Sequence, residues 1–181
     1  MNKALTITES DVGAFGAFRD LRDLHGKRRS FWQRIFGPLL AITQAMCDSF
    51  KQQLLEAKHN FLASGGSNFY MALYWANATL SNATTVWTST NETSGTGYTA
   101  GGAALTRINP ATSGNVAYTD FADLTWTSAT FVARGALIYN QSQSNAAVAV
   151  LDFGSDKSVT SGNFTVVFPT ANATAAILRL A

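Results

Sequence analysis

Apolar positions along this chain change their spacing near residue 63. Upstream, Phe18, Leu21 and Leu24 recur at helical spacing and stop at Gly26, a natural helix end. Pro38 follows Gly37 at a position suited to a first helical turn. Leu39, Ile42, Met46, Phe50, Leu54 and Ala57 then share one stripe, which Phe61 extends. A helix over 39–57 with that stripe needs a partner, either the rest of the chain or another subunit. After Ala63-Ser-Gly-Gly-Ser67 a period of two takes over, the mark of half-buried strands. Tyr70, Ala72 and Tyr74 alternate with Met71, Leu73 and Trp75, and Leu124 points with Trp126. Phe131 through Tyr139, Val148 through Phe153, Phe164 through Phe168, and Ile177 through Leu180 continue the pattern. The clusters SNATT, TNETSGTG, NPATSGN, NQSQSN, GSDKSVTSGN and PTANAT read as turns. About eight strands at this spacing predict a mainly β chain, a β-sandwich of jelly-roll-like form. It is expected over 62–181, preceded by an α-helical N-terminal arm over 1–61.

Charge divides the chain in the same way. Residues 1–60 hold nine Lys/Arg against six Asp/Glu, net +3, while 61–181 hold four against five, net −1. The charged fraction of 13% is about half the usual value, so Thr, Ser and Asn must solvate the larger part. A near-neutral surface has no electrostatic footprint for nucleic acid, and it offers little repulsion between copies. The one cysteine, Cys47, excludes an intramolecular disulfide and a multi-thiolate metal site, and reads as a small buried residue on a helix. No apolar run reaches the length of a membrane span. HGKRR followed by FWQRIFGPLLAITQAMC imitates a signal peptide, but it starts too late and is broken by Gln33, Arg34 and Gln44. The six Asn-x-Ser/Thr sequons follow from an Asn/Thr-rich composition.

Catalytic chemistry needs convergent ionisable groups, and few are present. His25 and His59 both precede the β region and are expected at the surface or as caps. Asp120 and Asp123 flank a turn and are expected to bind local backbone amides. Asp152 and Asp156 lack the spacing of a calcium loop. Asp152-Phe153-Gly154 spells a kinase motif without its partner residues. Gly95 to Gly102, GTGYTAGG, lacks the spacing of a phosphate loop, since Ala100 takes the third glycine's place. Its glycines are expected to allow positive φ and close backbone approach. Arg134, inside the uncharged run TFVARGALIYN, must be paired or placed at an edge. It calls either for a carboxylate such as Asp120, Asp123 or Asp152, or for a contact with another subunit, and Arg179 poses the same choice. Tyr70, Tyr74, Trp75, Trp87, Tyr98, Trp126 and Tyr139 could line a sugar-binding face or pack a core.

From Met46 to Ala181 the pieces SFKQQLLEAKHNF, NFYMALYWANATL, TNETSGTGYTAGGAALT, YTDFADLTW, ARGALIYN, AVAVLDFGSDKS, GNFTVVFPT and AILRLA follow in order. In these the chain resembles small virion structural proteins encoded in the morphogenesis regions of tailed-bacteriophage genomes. The resemblance implies a non-enzymatic particle component: a capsid decoration (cement), head–tail or fibre-associated subunit, assembled in the host bacterial cytoplasm. Its partners would be a major capsid or tail protein and copies of itself, with a trimer as the expected oligomer, and no nucleic acid, membrane, metal or cofactor. Interface candidates are Leu39, Ile42, Met46, Phe50, Leu54 and Phe61 on the stripe, with Arg134 and Arg179. The alternative is a receptor- or carbohydrate-binding module of a tail appendage. A hydrolase is disfavoured, since no histidine follows His59 and no acid pair is present. Chains of the family begin a few residues before the Phe-Lys-Gln-Gln-Leu-Leu segment, which here is Met46. Residues 1–45 are therefore expected to be an added anchor or an upstream stretch read from a wrong start codon.

Overall fold

The computed structural model describes residues 42–181, which belong to one compact unit. The expected helix around Phe18–Leu24, His25 and Leu39 lie outside the described residues. The unit is mainly β, with two antiparallel sheets in an arrangement compatible with a β-sandwich. In chain order its elements are β1 (Ala45–Met46), α1 (Asp48–Leu55), β2 (Phe69–Tyr74), β3 (Ala103–Ala104), β4 (Arg107–Ser113), β5 (Val116–Phe121), β6 (Leu124–Asn140), β7 (Ala146–Val166) and β8 (Leu178–Leu180). The larger sheet has the order β1-β7-β6-β2-β3, and the smaller one β4-β5-β8.

The long β6–β7 hairpin is the frame of the larger sheet. It closes through a 3-10 turn at Gln141–Gln143, after which Ser144 and Asn145 take positive φ (52° and 60°). Asn tolerates that region well, which explains the NQSQSN cluster. β2 pairs along residues 135–140 of β6, and β1 adds a short edge with Ala45 opposite Val150 and Met46 opposite Ala149. The pairing shifts abruptly farther out, from Gly135↔Asp152 to Ala133↔Lys157. Four residues of β7, 153–156, thus stand against Arg134 alone of β6, a wide irregularity that Gly154 accommodates at φ +74°. The expected turn at 154–163 is therefore part of a strand: small polar residues there make a bulged outer ribbon. Likewise β4 runs through the NPATSGN cluster as far as Ser113, and the turn is confined to Gly114, at φ +61°, and Asn115.

Alternation in β2 does not yield one wet face. Met71, Ala72, Leu73 and Tyr74 are all fully buried. One side of the strand meets aromatic rings of the smaller sheet, and the other is closed by loop residues between 75 and 102. Tyr74 Oη donates to the Thr88 carbonyl at 2.6 Å, and the Leu73 amide donates to Tyr98 Oη at 2.9 Å. The two sheets meet through rings: Phe69 stacks on Phe61 at 4.5 Å and packs against Phe121 at 5.6 Å, and Phe121 reaches Phe168 at 5.6 Å.

Between residue 42 and β2 the described residues differ from the expected helical arm. Among them only Asp48–Leu55 is α-helical, and Ala45–Met46 is a strand, because the edge of β7 offers unpaired groups there and the Cys47 amide donates to the Val148 carbonyl at 2.9 Å. The stripe is consequently split. Ile42 bridges Leu80 and fills the space over Gly135, where an added Cβ would stand 2.8 Å from its side chain. Met46 belongs to a different packing site, with Phe50 and Leu54. Phe50 and Phe61 are core residues continuous with β2 and β5, so no packing boundary falls at residue 61. Cys47 is buried immediately before α1, and burial followed by the neighbouring Asp48 carboxylate pushes its thiol up to about 11.

Ile42 is 6% exposed and lies upstream of Met46. Ile42→Ala should cost about 2–4 kcal/mol through loss of buried surface and a residual cavity beside Gly135. Chemical denaturation with an unchanged m-value would read this loss directly.

Candidate functional site

Five of the eight interface candidates converge on one feature. Met46, Phe50, Leu54, Phe61 and Arg179 line an apolar groove together with Leu178, Leu180 and residues of β4 and β5. The groove has a volume of about 120 Å³. α1 presents Phe50 inward and leaves Leu54 half-buried, while β8 leaves Leu180 57% exposed. Leu55, at the end of α1, is 91% exposed. Arg179 is exposed and donates to the Thr174 carbonyl within its own segment. A larger open trough of about 530 Å³ lies between β7 and the C-terminal segment, lined by Leu151, Phe153, Phe164, Val166, Phe168 and Ile177 among others. Ile42 is not part of the groove, and Leu39 lies outside the described residues.

Arg134 is accounted for inside the chain. Its Nε donates to Asp152 Oδ1 at 3.3 Å, and Nη1 stands 3.8 Å from Asp156 Oδ1, both on the neighbouring strand β7. Asp152 Oδ1 also accepts from the Gly154 amide at 2.9 Å, so the pair stiffens the irregular stretch of β7. Asp120 and Asp123 bind backbone, as expected. Asp120 accepts from the Phe121 and Ile177 amides at 2.8 and 3.2 Å, and Asp123 from Phe168 at 2.9 Å. Together they tie the C-terminal segment down. Burial nevertheless raises Asp120 above its ordinary carboxylate value, against the pull of the two amides. Among the described residues no group of three His, Cys, Asp or Glu side chains is placed to hold a metal ion. Of the aromatics that could have made a sugar-binding face, Tyr74, Trp126 and Tyr139 are buried, and Trp75 is 39% exposed.

GTGYTAGG is a structural loop built around Glu92. Glu92 Oε1 accepts from Tyr98 Oη and from the Gly101 amide, each at 2.6 Å, and Tyr139 Oη donates to the Gly101 carbonyl at 2.8 Å. Burial first, and then Glu92, raises the Tyr98 phenol far above its ordinary range, while Tyr139 is pushed up to about 12. Both phenols therefore stay protonated as donors. Gly97 takes φ +78° beside Ala129, and Gly102 takes φ +75° against the Met71 carbonyl, leaving no room for a Cβ at Gly102. The loop is a lid over β2 and β6.

His59 is a further junction that sequence reading places at the surface. It is 9% exposed and lies between two rings, edge-on to Phe50 at 4.8 Å and stacked with Phe69 at 6.3 Å. Nδ1 faces Asn140 Nδ2 at 2.9 Å, and Nε2 faces Gln53 Oε1 at 2.8 Å. With the amides so placed, Nδ1 accepts and Nε2–H donates, which is a neutral ring. Asn140 Oδ1 is buried without a partner. A signal for this junction exists: His59 and Phe61 continue the inward alternation that leads into β2, with Asn60 and Leu62 exposed between and after them.

No protein-family model, curated protein or solved structure matches this chain.

Two substitutions separate the inner polar groups from the outer ones. Tyr98→Phe removes the partner of the Leu73 amide and one partner of Glu92, and should cost about 1–3 kcal/mol. Arg134→Ala removes a partly exposed pair and should cost under about 1 kcal/mol. Urea melts of the two variants should preserve that order, and a reversed order would contradict the burial argument.

Proposed function

We propose that the chain is a bacteriophage virion structural protein, a capsid decoration or head–tail associated subunit that acts by protein–protein packing. The observation that supports this reading best is the groove lined by Met46, Phe50, Leu54, Phe61, Leu178 and Leu180. Apolar side chains left partly uncovered around a shaped groove gain free energy when another surface covers them, at about 25 cal/mol per Å² removed from water. The charged fraction of the whole chain is only 13%, which lowers the repulsion between copies. The jelly-roll reading belongs to the same proposal, and what supports it is the distribution of eight strands over two antiparallel sheets. A symmetric homo-oligomer, a trimer in the simplest case, is the expected form on a particle. Attachment would supply stability to the particle by mass action, since a subunit that binds only the assembled lattice favours it.

Electron microscopy of particles lacking the gene tests the reading. Missing density, with earlier rupture on heating, is the expected result. Intact and equally stable particles with no missing density would exclude it, and binding of the protein to a glycan array would favour the tail-appendage module. Leu180→Asp should abolish attachment to such particles while shifting the melting temperature by only a few degrees, because Leu180 is already 57% exposed.

A further inference from the structure

The His59 junction joins three parts of the unit. Gln53 belongs to α1, Asn140 is the last residue of β6, and the ring itself precedes Phe61, which stacks on Phe69 of β2. Its hydrogen bonds fit one charge state. A neutral ring accepts from the Asn140 amide and donates to Gln53, whereas a protonated ring would point a second N–H at the Asn140 NH₂. Two donors facing each other at 2.9 Å repel. The relief available is a half-turn of the Asn140 amide, which would bring its unpartnered Oδ1 onto Nδ1–H. Either way a cation would lie between the Phe50 and Phe69 rings, away from water.

Few charges surround the ring. Lys58 precedes it and is paired with Glu56 at 2.5 Å, while on α1 Lys51 is paired with Asp48 at 2.8 Å. β2 and β6 meet it with Phe69 and Asn140, so neither brings a carboxylate that would stabilise an imidazolium. Burial, and then the positive charge of Lys58, hold the ring below its ordinary value of 6.5. The sign follows. Between that lowered value and 6.5 the released ring binds protons more readily than the packed one, so packing is fully favoured above 6.5 and is weakened as pH falls.

We infer that His59 is an acid-released latch: protonation of the ring detaches α1 and the Phe61 segment from the larger sheet and bares Phe50 and Phe61. This adds a regulated state to the unit beyond the packing role, and because Phe50 and Phe61 also line the groove, their release would open it.

Amide hydrogen exchange over residues 49–61 of the full chain, followed from about pH 7.5 to about pH 5 and corrected for intrinsic rate, tests it. In the native chain the opening constant should rise as pH falls below 6.5, by up to tenfold per pH unit, the limit for one proton. In His59→Phe, which keeps a ring between Phe50 and Phe69, it should be flat. A flat profile in the native chain, or the same rise in the variant, overturns the inference. If His59→Phe does not fold, the ring of the native chain is titrated by NMR. A midpoint below 6.5, with the Asn140 side-chain amide shifting at the same midpoint, is the expected result. A midpoint at or above 6.5, or an Asn140 amide that does not respond, overturns it.

Discussion

Ring packing at Phe69 is the contact on which the rest of the unit depends. Phe69 opens β2, so it belongs to the larger sheet, yet it touches Phe121 of the smaller sheet and both His59 and Phe61 of the connecting segment. Through Phe61 the packing reaches Phe50 of α1, and through Phe121 it reaches Phe168 at the start of the C-terminal segment. Backbone pairing holds each sheet together but does not join one sheet to the other. The join is made by dispersion and burial among these rings, whose offset and edge-on geometries suit aromatic pairs. A polar residue at Phe69 would separate three elements at once.

The same unit manages its open edges by local chemistry. β4 is an edge strand with Pro110 in its middle and a break in register between Ile108 and Ala111. Beyond Val150 the outer edge of β7 carries Asp152, Gly154, Asp156 and Lys157, together with the irregular stretch that Arg134 braces. Proline, bulges and charge are the usual obstacles to strand addition. Strand addition along β4 and along the outer part of β7 is therefore disfavoured.

Much of this architecture is legible in the order of residues, and the illegible parts share a cause. Period-two runs locate β2, most of β6, the inner half of β7 and β8, because alternation reports directly on a pleated backbone. The roles of Asp120, Asp123 and the loop glycines are also legible, since they are local. What fails is anything set by a distant partner. Ile42 and Met46 look like one helical stripe, but the free edge of β7, about a hundred residues away, draws Ala45–Met46 into a strand. The run from Gly154 to Asn163 looks like a turn, but its pairing with β6 keeps it extended. β2 looks half-buried, and becomes buried on both sides because a loop with no periodic signal lies over it. For the site, Met46, Phe50, Leu54 and Phe61 of the stripe line one groove. The stripe does not reveal that His59 is buried, because a histidine's burial depends on finding partners for both nitrogens, and Asn140 is remote in the chain.

The groove draws its lining from widely separated stretches of the described unit: residues 46–61, Pro110 with residues 117–119, and residues 178–180, which pair with β5. Contacts of such large sequence separation form slowly, and domains made of them fold as units once their last strand is available. During synthesis the groove is therefore incomplete until Leu178–Leu180 has emerged and paired with β5.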